Sequence, residues 1–274
     1  MVDRTLYKIF KAGSRTYFYS SLFFPQKLRD DVFILYSFVR KADDLVDSVP
    51  QQNKEFYSLK GRYRRAIGGE KTGDVVVDSF ASLVQRRDFE PVWVESFLSS
   101  MEMDLYTSEY KNIRELDEYI YGSAEVIGLM MAKLMDLPKG SYHYARLLGK
   151  SMQYMNFIRD ISEDLRLGRT YFPQEDFQRY GLSGLGHNIV RERSESFCGF
   201  VRTQLSYYDS WQREAEEGFK YIPKRYLIPI KTASEMYKWT AEQIREDPFI
   251  VYAKKVKPSI PRIVSRVGYN ALPL

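Results

Sequence analysis

The decapeptide FVRKADDLVD, residues 38–47, sets Asp43, Asp44 and Asp47 directly behind Arg40 and Lys41, in a stretch whose apolar residues recur at helical spacing. On a helix, side chains four apart share a face and lie about 6 Å apart along the axis, so Asp43 and Asp47 can point at one ion. A second stretch, FIRDISED at 157–164, repeats the grammar with Arg159, Asp160, Glu163 and Asp164. Extended backward, the stripes place Tyr36, Arg40, Asp43 and Asp47 within a narrow arc of one helix, and Gln153, Asn156, Asp160 and Asp164 within an arc of another. One isolated DxxxD reads best as a solvated face with local ion pairs. Two copies flanked by Val39, Phe157 and Ile158 do not, because like charges at this spacing repel by roughly a few tenths of a kcal/mol when nothing binds them. Oxygen-only ligands suit Mg²⁺, with Mn²⁺ as a substitute, the remaining ligands coming from water and a substrate phosphate. Arg40 and Arg159 would then hold phosphate oxygens.

The rest of the chain narrows the alternatives. Its 274 residues are 44% hydrophobic, enough for a sizeable core. The net charge of +5 arises from 41 basic residues interspersed among 36 acidic ones, which favours an anionic ligand or a membrane surface over nucleic acid. One cysteine, Cys198, excludes an intrachain disulfide, and with only His143 and His187 a Cys/His zinc centre is disfavoured. No apolar run reaches the roughly 18–20 residues of a membrane span, and MVDRTLYKIF lacks the apolar core of a signal peptide. The expected location is cytoplasmic, with at most a peripheral membrane contact. Tyr (22) and Phe (17) are abundant, which suits an apolar pocket lined by polarisable rings.

Helical periodicity runs almost throughout, and strand alternation is scarce, so the chain is expected to be all-α and to form one domain over residues 1–274. Punctuation falls at Pro25, Pro50, Gly68-Gly69, Gly73, Pro91, Pro138-Lys-Gly140, Gly168, Pro173, Gly181–Gly186, Pro223 and Pro229. GGEKTG at 68–73 lacks a phosphate-loop lysine and a preceding strand, and GLSGLG at 181–186 follows a polar run; both are expected to be surface turns. Near the C-terminus, Ile260, Ile263, Val264 and Val267 oppose Arg262 and Arg266. Core packing is the first expectation there, membrane contact the second.

Two carboxylate-bearing helices facing each other across Mg²⁺ and a diphosphate, above an aromatic cavity, form a device for ionising allylic diphosphates. Metal and arginines neutralise the leaving group, ring faces stabilise a carbocation, and a dry cavity keeps water away.

These residues resemble the head-to-head prenyl synthases, the family of phytoene, dehydrosqualene and squalene synthases. The most specific piece is QYMNFIRDISEDLRLGRTYFP at 153–173, with YSFVRKADDLVD at 36–47, GSRTYFYSSLFFP at 13–25 and YGSAEVIGLMMAKLM at 121–135 in support. The resemblance implies an isoprenoid synthase-type helical bundle around a central cavity. It implies that Asp43, Asp47, Asn156, Asp160 and Asp164 bind the metal. Ser14, Arg15, Thr16, Tyr36, Arg40, Gln153 and Arg159 would contact diphosphate or the first isoprene units, and Tyr121 would sit by the reacting carbons. Arg169 matches a Gly-Arg pattern, and Tyr252 is the candidate for a substrate-contacting tyrosine that some members carry near the C-terminus.

The implied reaction condenses two identical prenyl diphosphates to a cyclopropyl diphosphate, which then ionises and rearranges. Without a nucleotide fingerprint, loss of a proton is expected and NADPH is not. Ser21 stands four residues past Tyr17, where C30 enzymes tend to place a bulky ring, so two geranylgeranyl diphosphates giving 15-cis-phytoene are expected. Phe23, Phe24 and Phe33 argue for the alternative, a C30 product from farnesyl diphosphate (dehydrosqualene, or squalene with NADPH). Head-to-tail elongases and class I cyclases have different second motifs. A non-catalytic assembly factor would tend to lose carboxylates that this chain keeps.

Overall fold

The computed structural model describes residues 3–272. The all-α expectation holds: among the described residues helices are joined by loops, and the only strand-like feature is an isolated bridge between Tyr110 and Pro173. In chain order the helices are α1 (Arg4–Gly13), α2 (Arg15–Ser21), α3 (Gln26–Asp47), α4 (Asn53–Ile67), α5 (Val75–Arg87), α6 (Pro91–Met103), α7 (Ile113–Ile120) and α8 (Val126–Leu134). There follow α9 (Tyr142–Arg159), α10 (Ile161–Arg166), α11 (Gln174–Arg179), α12 (His187–Glu192), α13 (Ser194–Glu216), α14 (Lys224–Glu246), α15 (Ile250–Ala253) and α16 (Ile260–Ala271). A wide π turn, Tyr121–Glu125, joins α7 to α8.

Local chemistry sets most of the boundaries. Asp3, Ser14, Asp74, Asn112 and Ser259 each cap a helix start by accepting an amide hydrogen bond with the side chain. Pro25 and Pro223 immediately precede helices, and Pro91 opens one, where no amide donor is needed. The glycine-rich stretches at 68–73 and 181–186 are turns, as expected; Asp78 receives the amides of Thr72 and Gly73. Pro229 departs from expectation. It lies inside α14, in the second turn, where it forfeits only the bond to the Arg225 carbonyl and buries its ring in a cavity wall.

α9 packs along α13 and also meets α8, the π turn and α14, while α3 packs against α1, α4 and α5. The α8–α9 crossing is close because α8 carries glycine there: a Cβ on Gly128 would stand 2.0 Å from the Ala145 carbonyl oxygen, and Gly149 of α9 allows the same approach to Ala124 in the π turn. Asp31 in α3 is buried, but Arg86 and Arg87 of α5 grip its carboxylate, making it a structural clamp. One buried apolar cluster gathers α1 to α6 with α8; another gathers α7, α9, α13 and α14. Side chains of both clusters line the cavity described next.

Ile263 and Val267 of α16 are buried against the bundle, Arg266 pairs with Glu235, and Arg262 covers the Trp239 ring. Core packing is therefore what α16 does, with Ile260 and Val264 left exposed. No helix among the described residues is long and apolar enough to cross a membrane.

Candidate active site

Two chambers meet inside the bundle. One is polar and encloses about 1590 Å³ of empty space, its mouth included; the other is apolar and encloses about 1350 Å³ on the same measure. Tyr17, Tyr36, Val39, Ser123, Gln153 and Asn156 line both, so they form the ring where a charged head would pass into an apolar tail channel.

The acidic helices face each other across the polar chamber. Arg40, Asp43 and Asp47 line it from α3; Gln153, Asn156 and Arg159 from α9; Asp160, Glu163 and Asp164 from the start of α10. Ser14, Arg15 and Thr16 close the rim from the α1–α2 turn. The second stripe does not lie on one helix: α9 ends at Arg159, and Asp160 has the non-helical angles φ −101°, ψ 13°. The Asp164 amide still donates to the Asp160 carbonyl at 2.9 Å, so the break bends the stripe without scattering it.

Tyr121 lines neither chamber. Its ring lies 5.2 Å from the Arg146 guanidinium, and the π turn that starts at Tyr121 turns Ser123 toward the ring of junction residues instead. Tyr252 also lies elsewhere: its hydroxyl donates to the Leu185 carbonyl at 2.6 Å and its ring stacks on His187. The C-terminal contributions to the polar chamber are Lys255 and Lys257.

Arg169 acquires a defined place. Buried at 4% exposure, it pairs with Asp47 at 2.6 Å, donates to the Val46 carbonyl at 2.5 Å and reaches the Tyr171 hydroxyl at 3.2 Å. Tyr171 and Tyr119 both donate to the Asp104 carboxylate, at 2.7 and 2.8 Å. This chain of contacts fixes the end of α3 from below. Tyr171 stacks on Phe157 with centroids 4.5 Å apart and on Tyr119 at 5.2 Å, giving the chamber an aromatic wall. Tyr237 donates to the Asn156 side-chain oxygen at 3.2 Å and stacks on Tyr17.

Charge is unevenly balanced. Burial, then the Asp47 charge, pushes the Asp43 carboxyl up to about 8. Burial also pushes Asp104 up to about 6, against the pull of Arg169. Asp164 stands well above the carboxylate range, through burial and the charges of Asp160 and Asp47. Burial works in the same direction on Asp160, but hydrogen bonds and charge from Arg159, with help from Lys255, hold it below that range.

A carboxylate cluster that resists ionising when alone, built of oxygen donors, fits a hard divalent cation. Among the described residues no three acidic, histidine or cysteine side chains converge on one point. An ion here would therefore take one or two carboxylates and complete its shell with water and diphosphate oxygens, the pattern Mg²⁺ favours. Asp43, Asp47, Asp160, Asp164 and the Asn156 amide oxygen, which line one chamber, would be the groups to hold it.

The raised carboxyls make stability depend on pH in a definite direction. Up to about pH 6 the folded protein keeps protons on Asp43 and Asp104, and up to about pH 8 on Asp43 alone, that the unfolded chain, with carboxyls near 4, has lost, so stability falls as pH rises from about 4 through about 8. The metal-free protein should melt at a higher temperature near pH 6 than near pH 9, and Asp43→Asn should flatten the upper part of that slope. A Tm that climbs across the interval would contradict this charge distribution.

The squalene/phytoene synthase family model matches residues 10–263. The chain belongs to the squalene/phytoene synthase family. Among curated members of this family, the 15-cis-phytoene synthase of Synechocystis is 26% identical over 267 residues, covering 91% of this chain and 78% of the relative. That of Paracoccus is 26% identical over 266 residues, covering 93% and 86%. The family fold is equally plain in solved structures. A dehydrosqualene synthase superposes with a TM-score of 0.84 at 22% identity, over 97% of this chain and 93% of the other. A squalene synthase from Alicyclobacillus acidocaldarius does so at 0.78 and 19% identity, over 89% and 93%.

Sequence reasoning did not find Asp104, Tyr119, Tyr237, Lys255 or Lys257. Tyr171 lay in the open, two residues past Arg169 in the quoted motif. Asp104 offered only one signal, an acid two residues past Glu102 at the end of an otherwise apolar helix.

Proposed function

We propose that this prenyltransferase, acting as one catalytic domain, joins two geranylgeranyl diphosphates head to head through a cyclopropyl diphosphate and releases 15-cis-phytoene. The observation that carries the proposal is the union of a two-walled acidic and basic chamber with an apolar one through a shared ring of residues. The similarity to curated 15-cis-phytoene synthases over about nine-tenths of the chain supports the same product.

In this proposal Asp43, Asp47, Asn156, Asp160 and Asp164 would hold Mg²⁺, which would supply the charge that neutralises the diphosphate leaving group. Arg40 and Arg159 hold phosphate oxygens, and Ser14, Arg15 and Thr16 close over them from the rim. Tyr17, Tyr36, Gln153 and Asn156 steer the first isoprene units into the apolar channel, which keeps water from the cation. Phe157 and Tyr171 form an aromatic wall beside the chamber in which that cation would arise. Tyr121, which lines neither chamber, is left out of the reacting set.

Chain length follows from the tail channel. Ser21 lines it and donates its hydroxyl back to the Phe18 carbonyl at 2.9 Å, so no side chain projects there. Phe33 packs among the rings of Phe10 and Phe18, and Phe23 is 46% exposed; neither lines the channel. Each added isoprene unit gains roughly 0.8 kcal/mol per buried CH₂ equivalent, which favours the longer substrate where space exists. Ser21→Phe should move the ratio of kcat/KM values toward farnesyl diphosphate by about tenfold or more. An unmoved ratio removes Ser21 from the specificity argument. A C30 product from farnesyl diphosphate is the second reading, favoured by Phe24, whose ring does line the channel.

The deciding experiment incubates purified protein with Mg²⁺ and each prenyl diphosphate, with and without NADPH, and identifies the hydrocarbon by mass spectrometry. Phytoene formed equally in both conditions is expected. A product reduced only when NADPH is present would indicate squalene synthesis, and absence of both diphosphate release and hydrocarbon would favour a non-catalytic role.

A further inference from the structure

The segment from Lys254 to Ser259 links α15 to α16 as a strap beside the polar chamber. It leaves α15 in extended conformation, with φ −161° and ψ 153° at Lys254. Val256 and Pro258 are buried while Lys255 and Lys257 line the chamber, the alternation of an extended chain. The Lys255 ammonium stands 3.2 Å from Asp160 Oδ2 and also contacts Glu163 Oε2.

Asp160 is thus neutralised twice. Its Oδ1 accepts from Arg159 Nε at 2.8 Å, and its Oδ2 accepts from Arg159 Nη2 at 2.6 Å as well as facing Lys255. Asp164, one turn on, makes no ion pair within the described residues, although it lines the same chamber. One arm of the acidic motif is saturated with cations and the other is bare. A divalent ion approaching Asp160 to the roughly 2.0–2.1 Å of a Mg²⁺–oxygen bond would meet the Lys255 ammonium at once.

We propose that Lys255 is the resident counter-cation of the second acidic motif, seated on Asp160 and Glu163 until metal and diphosphate arrive, when its ammonium passes from carboxylate to phosphate. It is a positioning residue that sets the order of loading: the metal binds weakly alone and tightly with the diphosphate that takes Lys255 away. Lys257 supports the same picture. Burial and the charges of Lys255 and Arg159 hold its ammonium below the usual lysine range, so this side of the chamber is rich in cations when no anion is bound.

The inference rests on the metal and diphosphate reading given above, and the test separates the two. Mn²⁺ binding to substrate-free protein is measured by electron paramagnetic resonance, and inorganic pyrophosphate binding in the presence of Mn²⁺ by calorimetry. Lys255→Met keeps the apolar stem and removes the charge. It should tighten Mn²⁺ binding and weaken pyrophosphate binding, each by roughly tenfold, while Lys255→Arg stays near wild type in both. A purely structural lysine would not move the two affinities in opposite directions. Unchanged or weaker Mn²⁺ binding in Lys255→Met, or unchanged pyrophosphate binding, overturns the inference while the site assignment stands. Wild-type protein that binds neither probe overturns both, and a Lys255→Met chain that does not fold leaves Lys255→Arg to decide: Mn²⁺ binding tightened in that variant, which keeps the cation, also overturns the inference.

Discussion

Asp43→Asn should lose turnover by about 10²–10³-fold or more while its melting temperature holds or rises. The two halves of this expectation come from one fact. Asp43 is pushed up to about 8 by burial and by Asp47, so in the metal-free protein its charge is unwelcome, and an uncharged amide of the same shape relieves the cluster. The same charge is what a divalent cation would need. Asp160→Asn should lose activity to a similar extent but, unlike Asp43→Asn, also lose stability, because Arg159 and Lys255 would be left without their shared carboxylate. Circular dichroism melts beside a diphosphate-release assay test both, and chelation of divalent metal should reproduce the loss of activity in the wild type. Near-normal turnover in Asp43→Asn would remove Asp43 from the metal site.

Arg169→Met should be the most damaging substitution for the fold among the site residues. The guanidinium is buried, ties Asp47 to the Val46 carbonyl, and is the cation nearest Asp104. Removing one partner of such a buried set leaves uncompensated charge and typically costs about 3–5 kcal/mol. For a chain of this size that corresponds to a fall in Tm of roughly 6–20 °C. Activity should fall as well, since Asp47 loses its anchor at the end of α3. Arg169→Lys keeps the charge without the fork that spans Asp47, the Val46 carbonyl and Tyr171, so it should recover only part of either property. A Tm within about 2 °C of wild type in Arg169→Met would show that the buried pair contributes little net stability.

Much of this protein is legible in its sequence because its information is local. Helical periodicity and proline and glycine punctuation reach only a few positions along the chain, and they delivered the all-α fold, many of the boundaries and the first acidic stripe, Tyr36 through Asp47 on α3. The same locality explains the failures. Pro229 signalled a break, yet tertiary burial of its ring outweighs one lost hydrogen bond. The straight-helix assumption carried Asp160 and Asp164 onto α9, whereas the chain bends at Asp160, where Arg159 and Lys255 hold the side chain. Tyr121 opens a π turn and does not line the cleft, whereas Ser123 within that turn does, a register that no period of 3.6 anticipates.

Long-range partnership was beyond sequence alone. Asp104 meets Tyr171 and Tyr119, Arg169 meets Asp47, and Lys255 meets Asp160, across separations at which no spacing rule operates. The sequence by itself determined that Asp43 and Asp47 stand on a common face of α3, since that depends only on the pitch of a helix. Which of them carries a cation and which stands bare was decided by the tertiary structure, because the strength of a charge interaction depends on distance through space and on burial, and only the folded chain sets either.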